Sequence, residues 1–121
     1  MLYTSYFSRQ RNNKVNSLYA ITVNKPSWFI GNHLKIVAPT LDLLNRYKQG
    51  ITSEEEYTEE YLAMLENNKE TILISIRSLP DESILLCYEG PGKFCHRHIL
   101  SDWLRKQGIQ IEEKENLNNG N

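Results

Sequence analysis

Short apolar runs alternate with amphipathic segments along this chain, and the alternation predicts strands separated by helices. Residues 2–7 are rich in aromatic side chains, and residues 18–23 are mostly apolar with several β-branched positions. Residues 83–88 form a third apolar run, bounded on both sides by segments containing proline or glycine. Short runs with these boundaries are typical of strands, and strands this apolar are typical of a sheet covered on both faces.

Four segments have the spacing of helices. Thr40 is a predicted N-cap for a helix over residues 40–50, and Ser53 followed by Glu56 forms a predicted capping box for a second helix. Residues 71–79 also contain enough Ile to suit a strand, but a helix is favoured because a strand follows directly. A fourth helix is predicted over residues 95–107, with glycine directly after it.

The order of these elements predicts an α/β fold, with a mainly parallel sheet and flanking helices in a single three-layer domain. Residues 1–111 form this domain, and residues 109–111 could add a last edge strand. Residues 112–121 are polar with one apolar residue, so we expect them to form a disordered tail.

Composition and charge exclude some classes of protein. The 121 residues are 40% hydrophobic and 24% charged, which is ordinary for a globular domain and excludes collagen-like and wholly disordered proteins. The formal net charge is −1, but residues 1–50 carry seven basic residues and one acid, while residues 51–121 carry seven basic residues and fourteen acids. A basic first half permits contact with nucleic acid phosphates, although a solvated loop face is the favoured explanation.

The apolar runs are too short to span a membrane, and the first residues do not have the pattern of a signal peptide. Two cysteines, Cys87 and Cys95, are too few for a disulfide scaffold. We therefore expect the cytoplasm, where cysteines more often bind a metal, act as nucleophiles or pack in the core.

Candidate chemistry is concentrated where the third strand gives way to the last helix. Cys95, His96, Arg97 and His98 lie at the predicted start of this helix, whose free N–H groups favour an anion. One hypothesis is that Arg97 and a histidine bind a phosphate or carboxylate, while the same field activates the Cys95 thiol. A metal site on Cys87, Cys95 and His98 is a second, weaker hypothesis. Ordinary packing of these side chains is a third.

Two further residues have alternative explanations. Glu89 directly follows the predicted strand, and it could orient a histidine, act as a general base, or pair with Arg97 or Lys93. Trp28 could stack on a base or sugar, although aromatic residues after a strand more often pack in the core.

The segment that carries the candidate chemistry also resembles the signature of a family of domains of unknown function numbered 488. The resemblance rests mainly on residues 85–98, where Cys87, Tyr88 and Glu89 precede Cys95, His96 and Arg97. It extends over about residues 2–107, through similar stretches at residues 3–7, 26–31, 37–51, 55–57 and 61. The resemblance implies a small α/β protein and a polar signature on Cys87, Glu89, Cys95, His96 and Arg97.

The sequence thus favours a small enzyme with an anion site at the start of the last helix. Cys95, His96 and Glu89 are the predicted catalytic residues. The predicted anion-binding residues are Arg97, His98, Tyr6, Ser5 and Trp28. The expected ligand is a phosphate- or carboxylate-bearing small molecule, with a nucleotide or nucleic acid as the first hypothesis. The alternative is a non-catalytic module that binds a nucleotide, nucleic acid or protein, and no particular cofactor is indicated.

Overall fold

Five strands form one sheet in which every pair of neighbours is parallel, in the spatial order β3-β2-β4-β1-β5. The computed structural model describes residues 1–10, 17–90 and 93–114. The strands are β1 (Leu2–Tyr6), β2 (Leu18–Ala20), β3 (Asn32–His33), β4 (Ile84–Cys87) and β5 (Ile111–Glu113). The helices are α1 (Leu41–Lys48), α2 (Glu54–Asn67), α3 (Lys69–Arg77) and α4 (His96–Lys106).

The most apolar strand, β4, lies at the centre of the sheet. All four of its residues are buried, and it pairs with β1 on one side and with β2 on the other. Its side chains alternate between two separate apolar clusters: Leu85 and Cys87 belong to one, Ile84 and Leu86 to the other. This is the pattern of a strand buried on both faces, as its continuous apolar run predicts.

The two clusters define the layers on either side of the sheet. The larger cluster contains the buried apolar residues of all four α-helices. The smaller one is covered by Phe7, which begins a 3₁₀ turn over Phe7–Gln10, and by Trp28 and Phe29 from the loop after β2. The chain is therefore a single three-layer α/β domain around a parallel sheet, which confirms the predicted fold class.

Local signals in the sequence set most helix ends. Thr40 accepts a hydrogen bond from the Leu43 N–H at the start of α1, and Ser53 and Glu56 form both bonds of the predicted capping box before α2. Gly50 follows α1 with a φ of +77°, a conformation that glycine adopts without strain. The helical prediction for residues 71–79 is confirmed by α3.

Several boundaries differ from the sequence-based expectations. β2 ends at Ala20 instead of continuing to residue 23, and β3 was not predicted. The last strand covers Ile111–Glu113 and pairs with β1, so the first residues assigned to the polar tail belong to the sheet. The Lys114 N–H also donates to the Thr4 carbonyl. Residues 115–121, the rest of the predicted tail, lie outside the described residues.

Candidate functional site

A cavity of about 340 Å³ opens at the carboxyl ends of β2 and β4. The chain leaves β2 toward β3 at one edge of the sheet and leaves β4 toward β5 at the other edge. Neighbouring strands whose connections diverge in this way leave a crevice between them, which is the usual ligand site of open parallel sheets. Its volume lies within the range of small-molecule sites, which begins at about 300 Å³.

Residues from five parts of the chain line this cavity. Thr22, Val23 and Asn24 follow β2, while Cys87 ends β4 and is followed by Tyr88 and Glu89. Cys95 and His96 contribute from the start of α4, and Tyr57 contributes from α2. The remaining lining residues are Pro39, Leu44, Tyr47, Lys48 and Phe94. The structure thus brings Cys95, His96 and Glu89, the three predicted catalytic residues, to one cavity.

The two cysteines are directly joined. Their sulfur atoms are bonded to each other, and the Cα atoms of Cys87 and Cys95 are 7.5 Å apart. The bond links the last residue of β4 to the residue that precedes α4. We expected no disulfide scaffold from two cysteines, and the pairing arises because the start of α4 lies beside the carboxyl end of β4.

His96 is buried beside Cys95 with a fixed orientation. Its Nε2 lies 2.5 Å from the Ile21 carbonyl oxygen, which can only accept a hydrogen bond, so Nε2 carries the proton and Nδ1 is an acceptor. Nδ1 lies 3.9 Å from the Cys95 sulfur. Burial lowers the pKa of His96 to about 4, so the ring is neutral at pH 7.

An aromatic wall faces the cysteines and His96. The Tyr57 ring packs against the rings of Tyr47 and Phe94 with centroids 5.3 Å away in each case, and the Tyr61 ring packs edge-on against His96. Tyr57 is 3% exposed, and its hydroxyl makes no hydrogen bond with the described part of the chain. Burial raises the pKa of Tyr57, so this hydroxyl stays protonated. In the sequence, Tyr57 and Tyr61 fall in the helix predicted after Ser53 and in the family resemblance, and no local signal connects them to Cys95.

The guanidinium of Arg97, which we expected to bind an anion, makes its hydrogen bonds to groups of the chain itself. Its side chain is fully buried, and the carboxylate of Glu113 accepts hydrogen bonds from Nε and Nη2 at 2.9–3.2 Å. Nη1 donates to the Glu89 carbonyl at 2.5 Å and to the Cys87 sulfur at 2.8 Å, and Nη2 has a longer contact of 3.5 Å with the Gly90 carbonyl. All five N–H groups of the guanidinium are therefore used within the chain.

The other predicted anion-binding residues lie outside the cavity. Ser5 pairs with Leu86 in the neighbouring strand, so their side chains lie on the same face of the sheet. Successive residues of a strand alternate between faces, and this face is therefore opposite to that of Cys87. Tyr6 lies under Arg97, with the guanidinium carbon 5.6 Å from its ring centroid. Trp28 packs edge-on against Phe7 on the same face as Ser5. His98 is exposed on α4 and is not among the residues that line the cavity.

The alternative metal site is not assembled in this structure. Cys87 and Cys95 are bonded to each other, and His98 lies outside the cavity that they line. Among residues 1–10, 17–90 and 93–114, no group of three or more His, Cys, Asp or Glu side chains is arranged to hold a metal ion. In the same ranges, none of the helices is both long and apolar enough to cross a membrane.

Comparison with protein families supports the resemblance seen in the sequence. The family model DUF488-N3a, described as "Active DUF488-N3 subclade", matches residues 10–108. The chain belongs to the DUF488 family. Comparison with curated proteins and with solved structures gives no match. The family match includes every lining residue of the cavity, from Thr22 to His96, but it ends before Glu113.

Proposed function

We propose that this DUF488 protein is an enzyme whose Cys95 thiolate attacks an anionic substrate held in the cavity between β2 and β4. One observation carries the proposal: Cys95 lines the cavity at the N-cap of α4, and its sulfur lies 3.9 Å from the Nδ1 acceptor of His96. The description of the matching family model as an active subclade agrees with an enzyme.

The position of Cys95 suits a nucleophile. It precedes an eleven-residue helix whose first N–H groups carry partial positive charge, and such a field lowers the pKa of a thiol. Cys95 is bonded to Cys87 in the structure, so the form that reacts is the reduced one. A reduced active form also fits the cytoplasmic location that we propose for this protein.

His96 and Glu89 divide the handling of protons. A neutral imidazole with Nδ1 as an acceptor orients the Cys95 S–H group, and it takes up the proton only as the sulfur attacks, because its pKa of about 4 disfavours the imidazolium at rest. Glu89 is exposed on the cavity wall, where its carboxyl group can exchange protons with solvent and with the leaving group of the substrate.

The lining of the cavity favours a substrate with both a ring and an anionic group. Tyr47, Tyr57 and Phe94 supply aromatic surface for a planar ring, and Lys48 is an exposed cation on the same wall. The start of α4 adds N–H groups that favour a phosphate. Because Arg97 is fully engaged by the chain, Lys48 takes the place of the expected arginine clamp. A nucleoside phosphate combines the required ring and anion.

Binding is tested by titrating the reduced chain with AMP, adenosine and inorganic phosphate in a calorimeter. We expect AMP to bind more tightly than either part alone, with affinity that falls as salt rises. Lys48→Gln should weaken AMP binding about two- to fivefold, as expected for one exposed ion pair. Lys69→Gln, an exposed lysine outside the cavity, is the matched control. Equal binding by the two variants would contradict the role of Lys48.

Catalysis is tested by incubating the reduced chain with a panel of nucleoside phosphates and following products and the intact mass of the protein. We expect turnover, or a covalent adduct on the peptide containing Cys95, and we expect both to disappear in Cys95→Ser with the fold retained. Tight binding with no turnover and no adduct would favour the alternative, a non-catalytic nucleotide-binding module. Absence of both binding and chemistry would overturn the proposal.

A further inference from the structure

Cys87 and Cys95 are the chain's two cysteines, and both line the cavity. Their bond joins a central strand to the start of a helix across one wall of the site. A disulfide at this place ties up the sulfur that the proposed reaction requires. The surroundings of each sulfur therefore decide whether the bond is a permanent crosslink or a reactive group.

The Cys87 sulfur lies next to a fixed positive charge. The residue is 1% exposed, and the Arg97 Nη1 donates a hydrogen bond to its sulfur at 2.8 Å. The Glu113 carboxylate and the Glu89 carbonyl hold the guanidinium in this position. A hydrogen-bond donor that carries positive charge stabilises a thiolate relative to a thiol. Cys87 is therefore the better leaving group when the disulfide is broken.

Cys95 is the more exposed residue of the pair. Cys95 is 6% exposed, and it sits at the N-cap of α4 without a hydrogen bond that caps the helix. An incoming thiolate that enters the cavity therefore reaches Cys95, and Cys87 is the sulfur that departs. Thiol–disulfide exchange is fast when the attacked sulfur is accessible and the other sulfur is the one that leaves more readily as a thiolate.

We propose that Cys87 and Cys95 are a redox-active pair that interconverts between a dithiol and a disulfide by exchange with low-molecular-weight thiols. In the reducing direction, a thiolate attacks the Cys95 sulfur, the Cys87–Cys95 bond breaks, and Cys87 leaves as a thiolate beside Arg97. A second thiolate then attacks the sulfur that the first small thiol contributed to the mixed disulfide, the bond from that sulfur to Cys95 breaks, and Cys95 leaves and is protonated. The two thiols are oxidised to their disulfide, and the cysteine pair gains two electrons and two protons.

One consequence rests on the proposed function. If Cys95 is the nucleophile, the disulfide form is inactive and the dithiol form is active, so the thiol status of the compartment controls the enzyme. The exchange itself requires no substrate, so it can be measured separately from any catalytic activity.

The first experiment equilibrates the full chain, natively folded, with buffers of graded ratio of reduced to oxidised glutathione. Free thiols are then alkylated at low pH, and the intact mass gives the number of labelled cysteines. We expect a single transition between doubly labelled and unlabelled protein. A disulfide that persists in fully reduced glutathione would overturn the proposal, and so would two thiols that stay free in fully oxidised glutathione. Accumulation of singly glutathionylated protein in place of the disulfide would also overturn it.

The second experiment measures the ionisation of the Cys87 thiol beside Arg97, with Arg97 itself left unchanged. In Cys95→Ser, Cys87 is the remaining cysteine, and its ionisation is followed by the ultraviolet absorbance of the thiolate as pH is raised. We expect Cys87 of the folded chain to ionise at lower pH than in the same variant unfolded in urea, where a thiol pKa near the ordinary value of about 8.5 applies. Ionisation at the same or a higher pH in the folded chain would show that Arg97 does not activate Cys87. Circular dichroism of the variant verifies its fold.

The two proposals fail in different ways. A normal glutathione transition in a chain that neither binds AMP nor shows turnover counts against the proposed function alone. A missing glutathione transition with normal turnover counts against the redox pair alone.

Discussion

The Arg97 guanidinium and the Glu113 carboxylate form an ion pair between α4 and β5, with Nη2 and Oε2 2.9 Å apart. The Arg97 side chain is fully buried, whereas the Glu113 side chain is 21% exposed. Glu113 also accepts a hydrogen bond from the Thr4 hydroxyl at 2.7 Å, so it connects β1, β5 and α4. The last strand therefore fixes a cation that lies directly under Cys87.

Replacing Glu113 by alanine should destabilise the fold strongly. The change leaves a buried guanidinium without its counter-charge, which costs about 3 kcal/mol in comparable buried pairs. The measurement is urea unfolding at pH 7. Glu112→Ala is the matched control, because Glu112 is exposed on the same strand, and its change in unfolding free energy should stay within about 0.5 kcal/mol. Similar losses in both variants would contradict the importance of the pair.

The buried His96 should make the fold sensitive to mild acid. Burial lowers the pKa of His96 to about 4, below the value of 6.5 expected in the unfolded chain. Between these values the unfolded chain binds a proton that the folded chain does not. The contribution of His96 to stability is therefore complete above about pH 6.5, and it is lost as pH falls toward 4 with a slope that approaches about 1.4 kcal/mol per pH unit.

This dependence is measured by urea unfolding at several pH values in the wild-type chain and in His96→Gln, whose amide can still donate to the Ile21 carbonyl. The difference between the two slopes gives the contribution of His96, because the carboxylates and the other histidines titrate in both proteins. His98→Gln is the comparison: partial burial also lowers the pKa of His98, but His98 is far more exposed than His96, so this variant should keep most of the wild-type slope. Equal slopes in the wild type and His96→Gln would show that His96 is not buried in its neutral form.

Two tyrosines of α2 should respond differently to loss of their hydroxyl groups. The buried Tyr61 hydroxyl donates to the Val37 carbonyl at 2.5 Å, so Tyr61→Phe leaves that carbonyl without its donor and should cost about 1–3 kcal/mol. Tyr57→Phe removes a hydroxyl that has no partner in the described ranges, and it should change stability by less than about 0.5 kcal/mol. Thermal and urea unfolding of the two variants give the comparison. A larger loss for Tyr57→Phe would contradict this assignment.

Local sequence patterns were sufficient for much of the fold. The capping box at Ser53 and the N-cap at Thr40 depend on groups within four residues, so they are visible in the sequence and are confirmed. The continuous apolar run of β4 likewise predicted a strand buried on both faces, whereas its central place in the sheet is seen only in the structure. The extent of β5 was harder to predict, because two glutamates follow Ile111 and nothing nearby in the sequence indicates the partner of Glu113.

The sequence alone determined that this is a parallel α/β domain, that it carries the DUF488 signature, and that Cys95, His96 and Glu89 lie where β4 gives way to α4. Only the tertiary structure decided what surrounds them. It bonded Cys95 to Cys87, buried His96 against Ile21 and committed Arg97 to Glu113. The physical reason is distance along the chain: hydrogen bonding and burial of a side chain depend on neighbours from other elements, and the spacing of residues within one segment does not specify those neighbours.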